Sequence, residues 1–144
     1  MAEALLNHKS KGNLTAYSAG SHPAGSPRRE ALKQLQSAGI PTEGLRSKSW
    51  DEFATPDAPQ MNFVFTVCDS AANELCPFWP GQPMTAHWGI PDPAAVKGTP
   101  EEIERAFRDT YVVLDRRIGL LLSLPLATLE ELAIQKEIEA IGKS

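Results

Sequence analysis

Residues 63–68, Phe63-Val64-Phe65-Thr66-Val67-Cys68, decide the fold class. The first five are aromatic, β-branched and free of breakers, which predicts a strand over residues 63–67. A nearly continuous apolar run, rather than an alternating one, points to a strand covered on both faces, as in a parallel sheet. Cys68 follows at once, where an open α/β sheet keeps its ligand crevice. Upstream, Leu14-Thr15-Ala16-Tyr17-Ser18 reads as a second strand and residues 85–88 as a short third one.

Helical patterns fill the rest. Residues 1–9 carry Ala2, Leu5 and Leu6 at helical spacing, broken by Gly12-Asn13. Ser26 and Pro27 predict a capped start for a helix with Ala31, Leu32, Leu35 and Ala38 on one stripe and Gly39 at its end. Ser49-Trp50-Asp51-Glu52 is a capping box for a short helix that stops before Pro56. Thr99-Pro100-Glu101-Glu102 opens a long helix whose stripe runs Ile103, Phe107, Tyr111, Leu114, Ile118, Leu121 and is halted by Pro125. Thr128-Leu129-Glu130-Glu131 predicts a last helix with Leu132, Ile138 and Ile141 inward and Gly142 as its stop. Strands alternating with helices predict one α/β domain over residues 1–144 with a largely parallel sheet.

Composition narrows the function classes. Lys plus Arg number 14 against 18 Asp plus Glu, a net charge of -4, which disfavours nucleic acid and anionic membrane as partners. No apolar run approaches the roughly 18 residues of a membrane span, and the first residues lack the basic and apolar regions of a signal peptide. Two cysteines are too few for a disulfide scaffold, so a reducing, cytoplasmic setting is expected.

Those cysteines are the first candidates for chemistry, against the plainer reading of Cys68 as one more buried small hydrophobe. Cys76 lies eight residues after Cys68; along a continuous helix that is about 12 Å between Cα atoms, whereas a disulfide needs roughly 7 Å or less. A Cys68–Cys76 bond therefore requires the intervening segment to loop back or unwind. That suits a redox relay and not a staple. Zinc held by both thiols and His87 matches no common ligand spacing. Asp92-Pro93 lies in a stretch, residues 77–100, that holds six of the twelve prolines. An Asp buried in a stiff loop can serve as a general acid; Asp before Pro is also ordinary turn chemistry. Trp88 is expected to pack, and His87 has no evident partner.

In order along the chain, Met1-Ala2-Glu3-Ala4-Leu5-Leu6-Asn7, Tyr17-Ser18-Ala19-Gly20, Arg46-Ser47-Lys48-Ser49-Trp50-Asp51, Thr66-Val67-Cys68-Asp69, Cys76-Pro77 and His87-Trp88-Gly89-Ile90-Pro91-Asp92-Pro93 resemble the bacterial arsenate reductases. These are built on the low-molecular-weight protein tyrosine phosphatase fold, a three-layer sandwich with a parallel sheet. The resemblance covers nearly the whole chain. It implies a thiol relay in which a cysteine of a Cys-five residues-Arg loop attacks arsenate, a tetrahedral oxyanion, and Asp92 protonates the leaving oxygen. Cys68 then attacks that first cysteine and arsenite leaves. Cys76 resolves the disulfide and passes the oxidation to an external thiol, either thioredoxin or glutathione with glutaredoxin; no bound cofactor is implied.

One part of the pattern is absent. Six residues after Cys68 stands Glu74 and six after Cys76 stands Gln82, so no Cys-five residues-Arg occurs in these 144 residues. By the resemblance, the nucleophile loop and the first, central strand lie just ahead of the helix at residues 1–9. The chain as it stands is then expected to be inactive, with a sheet opened in its middle and prone to self-association. The alternative function is a non-catalytic binding or redox-regulatory module that cycles a Cys68–Cys76 disulfide. Glu3 and Ser18 match two ligands of a potassium ion found in one branch of the family, but Asn62 stands where an acidic residue is usual, and no metal is expected.

Overall fold

A computed structural model describes residues 1–20, 25–67 and 83–144. Cys68 and Cys76 lie outside the described residues. The elements are α1 (Ala2–Ser10), α2 (Arg29–Ser37), a 3₁₀ turn (Trp50–Phe53), β1 (Phe63–Thr66), β2 (Met84–His87), a second 3₁₀ turn (Pro93–Ala95), α3 (Pro100–Leu122) and α4 (Glu131–Gly142).

β1 and β2 pair in parallel, with Phe63 opposite Met84 and Thr66 opposite His87. The sheet among the described residues has these two strands, so the architecture is mixed α/β with a small parallel sheet. All four β1 residues are half-buried rather than enclosed on both faces, because β2 is the one ladder partner they have among the described residues. Residues 14–18 do not form the expected strand. Their polar groups are taken by α1 side chains instead: the Ala16 N–H donates to Asn7 Oδ1 (2.8 Å), Asn7 Nδ2 donates to the Ala16 carbonyl (3.1 Å), and the Ser18 N–H donates to Glu3 Oε1 (2.8 Å). An amide side chain that both donates and accepts does here what a neighbouring strand would do. The chain then makes one parallel bridge, Gly20 to Ser49.

The core runs through Leu5, Leu35, Trp88, Ile118, Leu121 and Ile138, each at most 3% exposed. Residues from α1, α2, α3 and α4 meet there because each helix presents a single apolar stripe. α3 packs against α1, α2, the second 3₁₀ turn and α4, and the helix lying against β2 is α4. At its start Thr99 caps α3 as expected, its Oγ1 accepting from the Glu102 N–H at 3.2 Å. α2 starts two residues later than the Ser-Pro signal suggests, with Arg28 at the cap and no side-chain bond; Gly39 does adopt the left-handed conformation, φ 75°. In α4 the inward stripe is Ile134, Ile138 and Ile141, while Leu132 is 77% exposed. The Thr128 hydroxyl donates to the Pro125 carbonyl, so it caps nothing. Among the described residues no helix is long and apolar enough to cross a membrane.

Gly142 is not a left-handed stop; it is the last residue of α4 and a point where that helix touches the sheet. A Cβ there would lie 2.5 Å from the His87 carbonyl oxygen and 2.8 Å from Trp88 Cδ1. Backbone cannot yield as a flexible side chain does. Gly142→Ala should therefore destabilise the protein by about 1–3 kcal/mol, in the range of overpacked cores. Denaturant unfolding checks this as a lowered midpoint at unchanged slope.

Candidate functional site

The carboxyl ends of β1 and β2 form one connected polar region of the described structure. Thr66 Oγ1 and His87 Nδ1 stand 2.7 Å apart across the last register pair, so the His87 side chain does have a partner. The pairing continues beyond the strands: the Trp88 N–H donates to the Thr66 carbonyl (2.7 Å) and the Ile90 N–H to the Val67 carbonyl (2.9 Å). Residues 88–90 thus run beside the end of β1 as far as Val67, the residue before Cys68 in sequence. Trp88 packs as expected. It is 3% exposed, its ring centroid is 4.2 Å from that of Phe65, and its indole N–H donates to the Ile138 carbonyl at 2.9 Å.

Asp92 follows this segment and is exposed, not buried. Its Oδ1 accepts from the Ala94 N–H at 2.9 Å and caps the turn Pro93–Ala95. The turn chemistry expected of Asp-Pro is therefore present. The carboxyl stands in solvent.

Two arginines that sequence reasoning passed over converge on the same segment. Arg117, in α3, is 6% exposed; its Nη1 donates to the carbonyls of Trp88 (3.0 Å) and Gly89 (3.4 Å), and its Nη2 to that of Ser144 (3.4 Å). Its Nε has no hydrogen-bond partner among the described residues. Burial first, and then the charge of Arg116, lower its pKa, although a guanidinium stays charged at any physiological pH. Arg28 lies at the surface on the far side, with Nη1 donating to the Ala94 carbonyl at 3.3 Å. A signal for Arg117 existed: it falls between Leu114 and Leu121 at three- and four-residue spacing, on the stripe that faces the core.

A second polar cluster sits at the start of α1. Glu3 Oε1 accepts from Lys48 Nζ (3.1 Å) and from the Ser18 N–H, and the two charged side chains are 13% and 6% exposed. These residues do not fit a bound cation, because the ammonium of Lys48 already neutralises the carboxylate. Among the described residues no group of three or more His, Cys, Asp or Glu could hold a metal ion. Beside the cluster an open cleft of about 630 Å³ runs between α1 and residues 41–48. Arg46 at its rim pairs with Glu52 at 2.6 Å, so Glu52 does not close the expected capping box; Ser49 supplies its half, accepting from the Asp51 N–H.

Residues 1–137 match the low molecular weight phosphotyrosine protein phosphatase family. An arsenate reductase of Shouchella clausii (strain KSM-K16) is 32% identical over 119 residues, 82% of this chain and 81% of its own length. The arsenate reductase of Halalkalibacterium halodurans is 33% identical over 71% of this chain and 70% of its own. That of Bacillus subtilis (strain 168) is likewise 33% identical, over 71% and 70%.

The two ion pairs at the cleft should behave differently. Lys48→Met leaves a mostly buried carboxylate without its cation and is expected to cost about 3 kcal/mol. Arg46→Met removes an exposed pair and should leave the unfolding midpoint unchanged. Parallel denaturant titrations of the two variants make the comparison.

Proposed function

Since the chain belongs to the low molecular weight phosphotyrosine protein phosphatase family, we propose that it serves the thiol-dependent reduction of arsenate to arsenite, with Cys68 and Cys76 as the relay's redox pair and Asp92 as its proton donor. The observation that carries this reading is the junction at the sheet's carboxyl edge. There the Ile90 N–H holds the Val67 carbonyl, so the chain leading into Cys68 and the chain leading to Asp92 depart from one fixed point. Similarity to arsenate reductases over most of the chain supports the substrate class.

The electron balance is that of a dithiol. A first thiolate displaces water from arsenate, and the Asp92 carboxyl supplies the proton that this leaving oxygen needs. Cys68 attacks the sulfur of that first thiol; the As–S pair stays on arsenic, which leaves as arsenite, reduced by two electrons. Cys76 then attacks Cys68, releases the first thiol and leaves a Cys68–Cys76 disulfide. A cytoplasmic thiol reductant, thioredoxin or glutathione with glutaredoxin, restores it. On this reading the domain spans residues 1–144 in a three-layer sandwich, and the 144 residues carry the relay's second half, because no Cys-five residues-Arg occurs among them. That same fact favours one other reading, a redox-regulatory module that only cycles the Cys68–Cys76 pair.

Mild oxidation of the purified chain should remove two hydrogens within one molecule, seen by mass spectrometry and abolished by Cys68→Ser or Cys76→Ser. Purely intermolecular disulfides or sulfonic acids would overturn the relay assignment. With a thioredoxin or glutaredoxin system the 144-residue chain should show no arsenate turnover above background. Joining a Cys-five residues-Arg strand and loop ahead of α1 should create turnover that Asp92→Asn lowers by about 10²–10⁴-fold, the usual worth of a general acid. If that joined protein stays inactive while the disulfide forms, the regulatory reading holds instead.

A further inference from the structure

The turn that carries Asp92 is gripped at both flanks by guanidiniums from distant parts of the chain. On the near flank Arg117 donates to the Trp88 and Gly89 carbonyls; on the far flank Arg28 donates to the Ala94 carbonyl. Both grips are themselves fixed. Arg117 is enclosed in the core, and Arg28 is held by Glu30 through Nε (3.2 Å) and Nη2 (3.3 Å), with its guanidinium 5.5 Å from the Phe107 ring centroid.

We propose that Arg117 and Arg28 are positioning residues that set where the Asp92 carboxyl points, an inference that rests on the reading of Asp92 as proton donor. Arg117 occupies a core position where Leu or Met would continue the stripe of Leu114 and Leu121. A guanidinium buried against the Trp88 and Gly89 carbonyls, with no Asp or Glu partner among the described residues, gains little stability for its desolvation, and an apolar residue of similar volume often does better. What it supplies is direction: a planar fork fixes two carbonyls at once. Pro91 and Pro93 flank Asp92, and each locks its own φ near −65°. Fewer soft torsions are therefore left between Gly89 and Ala94 to absorb a rotation before it reaches Asp92. The Glu30 hydrogen bond first, then the Glu30 charge against a lowering by desolvation, and last the charge of Asp92 raise the pKa of Arg28, as expected for a cation near that carboxylate.

The test uses the 144-residue chain and needs no arsenate. Amide exchange at Ile90 and the carbon-13 titration of the Asp92 carboxyl are followed by nuclear magnetic resonance in the wild type, Arg117→Met, Arg117→Lys and Arg28→Lys. Ile138, fully buried in α4, serves as the global reference. In Arg117→Met the Ile90 amide should exchange about tenfold faster or more relative to Ile138, the loss of one charge-assisted hydrogen bond, and the Asp92 titration should shift. Arg117→Lys should recover part of both. Arg28→Lys keeps the charge but loses the fork, and should shift the Asp92 titration alone. If Arg117→Met does not fold, the two Lys variants decide. Wild-type exchange at Ile90 with an unmoved Asp92 titration in the folded variants overturns the proposal. Failure of Asp92→Asn to lower turnover in the joined protein would remove the acid role and leave these readouts unchanged, so the two failures are distinguishable.

Discussion

Trp88 is bonded on every side, and the arrangement of the sheet's carboxyl edge depends on that. Its backbone N–H continues the ladder to Thr66, its carbonyl receives Arg117, its indole N–H reaches the Ile138 carbonyl, and its ring lies on Phe65. One residue thereby fixes β2 against β1, α3 against the segment after β2, and α4 against both. A buried indole satisfied in this way combines large apolar burial with a directional bond. The residues that carry the proposed chemistry then leave from positions that are already determined.

Charge inside this protein follows two different rules. Lys48 and Glu3 are buried as a pair, so the desolvation of each is offset by the other and by the Ser18 N–H. Arg117 has no Asp or Glu partner among the described residues and is held by the Trp88 and Gly89 carbonyls and by Ser144 O. By contrast, Lys33 with Glu104 and Arg46 with Glu52 sit in solvent, where water competes for every bond. The buried groups are shielded from that competition, and they shape the molecule more than the surface pairs do.

Much of the helical framework was legible in the sequence, because caps and stripes are local. Thr99 and Pro100 start α3 where expected, and the Phe107, Leu114, Ile118, Leu121 stripe is the buried one. β1 was legible from its composition. What misled was polarity that looks local and is not. Residues 14–18 have the composition of a strand, but their fate depends on Asn7 and Glu3, which compete for the same backbone groups. Ser26 and Thr128 resemble caps, yet Arg28 and Glu130 hold those positions without a side-chain bond. At the candidate site Asp92 and His87 could be named from the sequence; Arg117 could not be tied to them, since its bonds span 28 and 29 residues.

The Asn7 clip on Ala16 has a consequence for the order of assembly. It closes a loop of nine residues, whereas β1 meets β2 across 21 and Lys9 meets Asp115 across 106. Short loops close with the least entropy loss and on the fastest timescale. The helix α1 and the stretch it clips can therefore come together as a local unit before any sheet exists. The parallel strands, whose contacts are distant along the chain, must wait for the slower collapse. Order in the first 18 residues, next to the Glu3 carboxylate that later closes on Lys48, would then precede the sheet.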